Sequence, residues 1–276
     1  MKLTKTILAF CLCISLGAAQ TAFGEEGAGA AAETAATEEQ MAWLDAALEK
    51  SAALADYDAV GTMSVTISMP GMGISMGANA WQQFQIKNAG MDSMEALSVQ
   101  KMDVLGETQE TRAFYTGGYY YGEDYGFPMK TAMPADTALE RMSGDFYSML
   151  LWASSQEPEG ELTAEEQSLK TQLEQAEETS TLTVAPDGDG WVYTYVCSPE
   201  YRALISDGET RITVLAMQYY VGADGYIHRE KMEVRGSEGE GRDQTDLICY
   251  TEVVYQAPGQ PVTISLPSTD GYETWN

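Results

Sequence analysis

The spacing of apolar residues predicts one helix near the start of the chain and strands after it. Met41, Leu44 and Leu48 recur every three or four residues, and Thr37 precedes them as an N-cap residue. This pattern indicates an amphipathic helix that begins after Thr37 and ends near Tyr57. Beyond that point the apolar period falls to two, which is typical of strands with one buried face.

The first two predicted strands form a long hairpin around a turn at residues 70–73. Residues two apart in a strand lie on the same face, and here apolar residues alternate with small polar ones. The apolar positions are Met63, Val65, Ile67 and Met69 before the turn, and Ile74, Met76, Ala78, Ala80, Phe84 and Ile86 after it. We expect these side chains to share one face of a sheet.

Strands and tight turns recur through the rest of the chain. Further helices are predicted from Asp136 to Leu150, after Thr163, and after Ser198. Strands are predicted at 97–105, 111–115, 119–121, 191–197, 211–221, 226–235, 246–255 and, as a closing strand, 262–267. Most of these strands are joined by short turns, so they must pair antiparallel. The sequence therefore predicts an α+β fold, a meander of long hairpins with helices packed on one side.

The first 24 residues have the pattern of a secretory signal. Lys2 and Lys5 precede an apolar run, and small residues follow at Ala22 and Gly24. The run is too short to span a bilayer, and no later segment is apolar enough to do so. We expect residues 1–24 to be a signal peptide cleaved after Gly24, and the mature protein to be secreted or held in the cell envelope without a transmembrane segment.

A lipid anchor is not expected, because Cys11 follows Phe10 at a place where a lipobox has a small residue. Residues 25–37 are rich in Ala, Gly and Glu and have no apolar period, so we interpret them as a flexible leader. Residues 38–276 then form a single domain, with a helical insert at about 136–178.

The charge of the chain excludes polyanionic partners. The protein has 42 acidic and 15 basic residues and a formal net charge of -27, and no cluster of Lys and Arg interrupts this excess. Nucleic acids and anionic membranes are bound by such clusters. Removal of residues 1–24, which contain two lysines and no acid, makes the net charge -29. We interpret the acidity as a solvated exterior that keeps a monomeric protein soluble.

Candidate catalytic residues are few. His228 is the single histidine, which excludes most triads and histidine-rich metal sites unless this one residue serves them. The pair Ser98 and Lys101 has the spacing of a Ser-x-x-Lys nucleophile, but residues three apart on a strand face opposite ways. Asp187 and Asp189 begin a turn without the glutamate that an EF-hand loop requires. The sequence predicts no enzyme and no cofactor.

Two cysteines remain after signal removal, Cys197 and Cys249, both in predicted strands. Two alternatives are open. An exported protein can form a disulfide between them, closing a loop of about 50 residues and adding roughly 4 kcal/mol of stability. Otherwise they are buried thiols that act as small apolar residues.

Two clusters of residue types stand out. Seven of the 15 methionines lie between residues 63 and 102, and they suit an ordinary core, the lining of a lipid cavity or a copper(I) site. Seven aromatic residues lie between Phe114 and Phe127, around the Gly117-Gly118 turn. Exposed tyrosines there would recognise glycan or protein, whereas buried ones would pack the sheet on its helices.

The order of these features resembles the lipoprotein-carrier, LolA-like superfamily. The resemblance covers residues 38–267 and is greatest to uncharacterised secreted and lipid-anchored proteins of Gram-positive bacteria, although this chain lacks their lipobox. The features are an N-terminal helix, Tyr57-Asp58-Ala59 leading into a Met-rich hairpin, Gly117-Gly118-Tyr119-Tyr120, a helical insert, the turn at 223–227, and Ile264-Ser265-Leu266-Pro267. The resemblance implies a curved half-barrel sheet wrapped round helices, with an apolar cavity for acyl chains.

These observations predict a non-enzymatic secreted protein that binds an apolar or amphiphilic, lipid-like molecule in the half-barrel. Alternative hypotheses are an envelope module that recognises glycan or protein through exposed tyrosines, a copper carrier and, last, a hydrolase. The residues predicted to line the cavity are Met63, Val65, Ile67, Ile74, Met76, Phe84, Ile86, Phe114, Tyr119 and Tyr121.

Overall fold

The computed structural model describes residues 33–104, 107–124, 127–148, 164–206 and 210–274. The predicted signal peptide, most of the leader and residues 149–163 of the helical insert lie outside these ranges. The helices are α1 (Glu38–Ala52), α2 (Ala135–Ser148), α3 (Ala164–Glu177) and α4 (Pro199–Ile205). The strands are β1 (Thr34–Ala35), β2 (Tyr57–Met69), β3 (Ile74–Lys87), β4 (Glu95–Val104), β5 (Glu107–Thr116), β6 (Tyr119–Asp124), β7 (Phe127–Ala132), β8 (Thr181–Asp187), β9 (Gly190–Val196), β10 (Thr210–Val221), β11 (Ile227–Glu238), β12 (Thr245–Gln256) and β13 (Glu273–Thr274).

The described strands form one 13-stranded sheet in the order β1-β8-β9-β10-β11-β12-β2-β3-β4-β5-β6-β7-β13. Two meanders, β2 to β7 and β8 to β12, are joined by antiparallel pairing of β12 with β2. The edge strands have two residues each and do not pair with one another, so the sheet is curved but open. The predicted α+β class with a curved antiparallel sheet is confirmed.

The two faces of the sheet follow from its register. Opposed residues in an antiparallel pair share a face, and Met63 lies opposite Ala80, Val65 opposite Ala78. We call the face that carries these residues and Phe84 the inner face, and its opposite the outer face. The predicted apolar alternation of the hairpin is confirmed.

Helices α1 and α2 cover part of the inner face. Ser51 Oγ of α1 accepts a hydrogen bond from the Ile227 amide at 2.9 Å, and the Met142 carbonyl of α2 accepts one from Gln82 Nε2 at 3.2 Å. The outer face carries ion pairs, among them Lys101 with Glu110 at 3.4 Å. The sheet therefore separates a largely apolar interior from a charged exterior.

The helix ends agree with the predicted caps. Thr37 and Gln40 form a reciprocal capping box, in which Thr37 Oγ1 accepts from the Gln40 amide and Gln40 Oε1 accepts from the Thr37 amide. Ser198 Oγ caps α4 by accepting from the Tyr201 amide at 3.1 Å. Helix α1 ends at Ala52 rather than at Tyr57, because Tyr57 already begins β2.

Two strand predictions near the chain's prolines are wrong. No strand was predicted between residues 121 and 191, yet Pro128 lies inside β7. A proline has no amide hydrogen to donate. However, β7 is next to the sheet edge, and the edge strand β13 pairs with it only at Met129 and Lys130, so Pro128 costs little pairing. Residues 262–267 form no strand, and the chain instead returns to the sheet at β13.

The structure decides between the two alternatives for the cysteines. Cys197 and Cys249 are both buried and are not joined by a disulfide. The Cys197 amide bonds to Leu215 of β10, Leu215 lies opposite Val234 of β11, and Val234 lies opposite Cys249 of β12. Three strand spacings, roughly 14 Å, separate the two cysteines along the sheet, well beyond the span of a disulfide. Burial also raises the pKa of the Cys197 thiol to about 11, so this group stays neutral.

The tip of the β2–β3 hairpin packs against the tip of the β11–β12 hairpin. At Gly71 a Cβ atom would lie 2.4 Å from the Arg242 carbonyl oxygen. We expect Gly71→Ala to lower the free energy of unfolding by about 1–3 kcal/mol, because the two tips must separate to admit the methyl group. Urea denaturation measures the change. Met72→Ala, at the exposed neighbouring residue, is the control, and an equal loss in both variants would contradict the close contact.

Candidate functional site

The predicted lining residues of the first hairpin all lie on the inner face. Met63, Val65, Phe84 and Ile86 are buried. Towards the hairpin tip the cover decreases. Ile67 and Met76, which lie opposite one another, are half-buried, and Ile74 is 44% exposed. The inner face is therefore closed near α1 and α2 and more open near the β2–β3 tip.

The three aromatic residues predicted to line the same cavity lie elsewhere. Tyr115 lies opposite Ala96 on the inner face, so its neighbour Phe114 points to the outer face. Phe114 lies opposite Tyr121 and stacks on it, with ring centroids 4.5 Å apart, and Tyr119 shares that outer face. Placing Phe114, Tyr119 and Tyr121 in the cavity was wrong, since residue parity along β5 and β6 directs them outwards.

A C-terminal residue covers these outer rings. Tyr272 contacts Phe114 and Tyr121 edge-on, at centroid distances of 5.6 and 5.3 Å. Phe114 and Tyr121 are buried as a result, and Tyr119 is 38% exposed. This small outer core joins the end of the chain to β5 and β6.

The remaining tyrosines of the hairpin pack on the inner side. Tyr115 Oη donates to the Met133 carbonyl at 3.1 Å, and the Arg141 guanidinium lies 4.6 Å from the centre of the Tyr120 ring. Of the seven aromatic residues between Phe114 and Phe127, Tyr125 lies outside the described ranges. Among the described ones, Tyr119 and Phe127 have exposed side chains. The described rings therefore do not form the exposed aromatic surface that the glycan or protein hypothesis requires.

Four methionines from different strands line up across the inner face. Met217 lies opposite Met232, Met232 opposite Thr251, Thr251 opposite Met63, and Ala80 lies between Met63 and Met102. We call Met217, Met232, Met63 and Met102 the methionine row. The sequence pattern singled out Met63 and Met102 but not Met217 and Met232, which join them only through the pairing of β12 with β2. Thioethers are flexible and polarisable, and such a surface adapts to apolar ligands of different shapes.

A second line of polar side chains crosses the same face, parallel to the methionine row. It lies two residues along each strand, on the side nearer α1. Opposed residues place Gln82, Glu230, Tyr219 and Tyr193 on one line, which we call the polar row. In order across the sheet the line passes through Gln82, Gly61, Val253, Glu230, Tyr219 and Tyr193. Gln82, Glu230 and Tyr193 are 3%, 1% and 0% exposed.

Each of these three buried side chains has a polar atom without a partner among the described residues. Gln82 donates to Ser98 Oγ at 2.9 Å and to the Met142 carbonyl, but its Oε1 has no donor. Tyr255 Oη donates to Glu230 Oε1 at 3.0 Å, whereas Glu230 Oε2 and Tyr193 Oη are unpartnered. Buried polar atoms nearly always have a partner, so three in one row mark this part of the face as unusual.

The electrostatics of the row centre on Glu230. Burial disfavours the carboxylate and raises the pKa of Glu230 to about 7, although the Tyr255 hydrogen bond acts in the opposite direction. Burial likewise raises the pKa of the neighbouring Tyr219, and the charge of Glu230 adds to that rise. Glu230 shares its parity with Met232 and Val234, so the alternation in β11 was a signal that could have identified it.

His228 lies in a surface groove and not on the inner face. Its Nε2 is 3.0 Å from a carboxylate oxygen of Asp224, and a groove of about 310 Å³ there also includes Asp187 and Asp189. Across the described ranges, no three His, Cys, Asp or Glu side chains are arranged to hold a metal ion. None of the described helices combines the length and apolar composition that a bilayer-spanning helix needs.

Comparison with known proteins gives only distant likenesses. No family model and no curated protein matches the sequence. Among solved structures, LprF from Mycobacterium bovis is similar at 12% identity and a TM-score of 0.39, covering 85% of this chain and 100% of its own. Mycobacterium tuberculosis lipoprotein LppX has 10% identity and a TM-score of 0.36, covering 82% and 97%. A lipovitellin structure, described for its lipid–protein interactions, has 11% identity and a TM-score of 0.35, covering 77% of this chain and 26% of its own. These TM-scores are low, so the likenesses do not establish a family.

Proposed function

We propose that the protein is a non-enzymatic binding protein that holds an apolar or amphiphilic, lipid-like molecule against the inner face of its sheet. The observation that carries the proposal is the division between the two faces. The inner face combines the methionine row with buried aliphatic and aromatic residues, and its cover decreases towards Ile67, Met76 and Ile74. An apolar concave surface with a few polar groups is the usual form of a small-molecule site.

The location and state of the protein are part of the same proposal. Residues 1–24 act as a signal peptide cleaved after Gly24, the mature chain is not lipid-anchored, and it works outside the cytoplasm as a monomer. The charged outer face supports the monomeric state alone, since its charged residues suit contact with water on that side. An extracytoplasmic carrier with a half-barrel sheet is also what the resemblance to LolA-like proteins implies.

Direct detection of the ligand tests the proposal. Protein purified from its own host under native conditions should release an amphiphile on organic extraction, detected by mass spectrometry. The stripped protein should then take up a fluorescent fatty acid with saturable binding. Absence of both the co-purifying amphiphile and the uptake would overturn the proposal.

A charge on the open part of the inner face should block uptake. We expect Met76→Lys to weaken binding of the fluorescent fatty acid at least tenfold, because a Lys ammonium must be desolvated where an acyl chain would lie. Met76 is half-buried, so folding should tolerate the change. Met91→Lys, in an exposed turn, is the matched control and should bind as the wild type does. Equal affinities in both variants would place the binding surface elsewhere.

A further inference from the structure

We propose that the groove between α3 and α4 binds a basic, amphipathic segment of a partner protein. The groove has a volume of about 420 Å³ and opens to solvent. It is lined by residues of the two helices and not by the strands of the inner face. This surface therefore serves a second role, beside the binding of a lipid-like molecule proposed above.

The groove is formed by two facing stripes of helix surface. Residues three and four apart in a helix share a face. Each helix contributes three residues with this spacing, namely Gln172, Gln175 and Ala176 from α3 and Glu200, Ala203 and Leu204 from α4. Ala176 is buried, Leu204 is half-buried, and the other four are exposed. The groove thus combines an apolar floor with polar walls that a partner can reach.

The two helices are held together beside the groove. Ser198, the N-cap residue of α4, donates from its hydroxyl to the Ala176 carbonyl of α3 at 2.9 Å. The Ser198 amide donates to Ser180 Oγ, just after α3, at 3.0 Å. These bonds fix the start of α4 against the end of α3, so the groove is formed before a partner binds. A preformed groove loses little conformational entropy on binding.

The charge around the groove is negative. The last turn of α3 contains Glu174 and Glu177 and no base. The C-terminal end of a helix favours cations, so acidic residues there do not serve the stability of α3. On α4, Glu200 lines the groove, whereas Arg202 Nη1 donates to the Thr213 carbonyl of β10. The described residues that line the groove include no Lys or Arg, and a cationic partner would supply the missing charge.

Charge also decides among the candidate occupants of the groove. Residues 149–163 of this chain contain three glutamates and no base, and a second copy of the chain carries the same excess of acid. Both would bring like charge to the groove. A purely apolar molecule would desolvate the Glu200 carboxylate without compensation. A segment with apolar side chains on one face and Lys or Arg at its edges matches the floor and the walls together.

The test uses two peptides that share their apolar positions. One is an amphipathic peptide of leucine and lysine with the sequence LKKLLKLLKKLLKL, and the other has glutamate in place of every lysine. Binding to the chain without residues 1–24 is measured by fluorescence anisotropy at about 0.15 M salt, where long-range attraction is largely screened. The wild type should bind the basic peptide at least tenfold more tightly than the acidic one.

Two variants separate the groove from the overall charge of the protein. Ala203→Trp fills the groove without changing the charge, and Glu200→Lys reverses the charge of its wall. Each should weaken binding of the basic peptide at least tenfold. The matched controls make the same changes at exposed positions of α1. Ala46→Trp and Glu49→Lys should both stay within about twofold of the wild type.

Several results would overturn the inference. Equal losses in Glu200→Lys and Glu49→Lys would show that the peptide responds to net charge alone, and unchanged binding in Ala203→Trp would place the peptide elsewhere. A wild-type dimer that Ala203→Trp abolishes in sedimentation velocity would assign the groove to a second copy. A gain in peptide affinity after replacement of residues 149–163 by a glycine-serine linker would assign it to that segment. Fatty-acid uptake is measured independently, so the function proposed above stands or fails separately.

Discussion

Glu230→Gln is expected to raise the free energy of unfolding by about 3 kcal/mol at pH 8 and to have little effect at pH 4. Burial raises the pKa of Glu230 from an ordinary value of 4.5 to about 7. The folded state therefore disfavours ionisation, and a shift of this size corresponds to about 3 kcal/mol. Glutamine has the same shape and remains neutral, so it avoids that cost.

The sign of the pH dependence follows from the raised pKa. Below about pH 4.5 the carboxyl is protonated in both the folded and the unfolded state, and the wild type loses nothing. As the pH rises to about 7, the unfolded state releases a proton that the folded state retains, so the wild type becomes progressively less stable. Above that range the difference between the wild type and Glu230→Gln should be constant.

Urea denaturation of the wild type and Glu230→Gln at several pH values between 4 and 8 measures this difference. Subtracting the two curves removes the titration of all other groups. Glu233→Gln is the control, because Glu233 is bonded to Arg235 and Tyr250 on the outer face and its replacement should not stabilise the protein. A difference for Glu230→Gln that does not change with pH would show that this carboxyl is not held in a low-dielectric site.

Phe84→Ala is expected to lower the free energy of unfolding by about 4 kcal/mol. The Phe84 side chain is fully buried on the inner face, near the centre of the sheet, and meets the Tyr57 ring edge-on at 6.0 Å. Its removal leaves a cavity that the surrounding strands cannot fill, because their backbones are fixed by pairing on both sides.

Trp81→Ala provides the matched control on the same strand. Trp81 is larger than Phe84 but lies on the outer face, half-buried, with Lys101 Nζ 5.5 Å from the centre of its ring. We expect a loss of about 1 kcal/mol or less there. Thermal and chemical denaturation should rank the two variants in this order, and a larger loss at Trp81 would contradict the assignment of the faces.

Local patterns predicted the elements of this fold well. The alternation from Met63 to Ile86 placed the first hairpin in register, and Thr37 and Ser198 identified two helix starts. These predictions succeed because the period of apolar residues and the capping side chain act within a few residues of chain. The strand β7 was missed because Pro128 opposes a strand locally, and only its place near the sheet edge permits it.

The candidate site was predicted only in its first hairpin. Phe114, Tyr119 and Tyr121 were assigned to the cavity because they are aromatic and lie near a turn. In the sheet it is Tyr115 that lies opposite the inner-face residue Ala96, so these three side chains point to the outer face. Glu230 was not singled out among the 42 acidic residues, although its parity with Met232 and Val234 in β11 would have placed it on the apolar face.

By itself, the sequence determined the class of the fold, the antiparallel hairpins, and which side of β2 and β3 is apolar, because these depend on neighbours along the chain. Only the tertiary structure decided that β12 pairs with β2. That contact joins residues nearly 200 positions apart and aligns the two meanders into one inner face. It also places Gln82 on the same line as Glu230. Pairing between distant strands depends on the complementarity of whole faces, which no local period encodes.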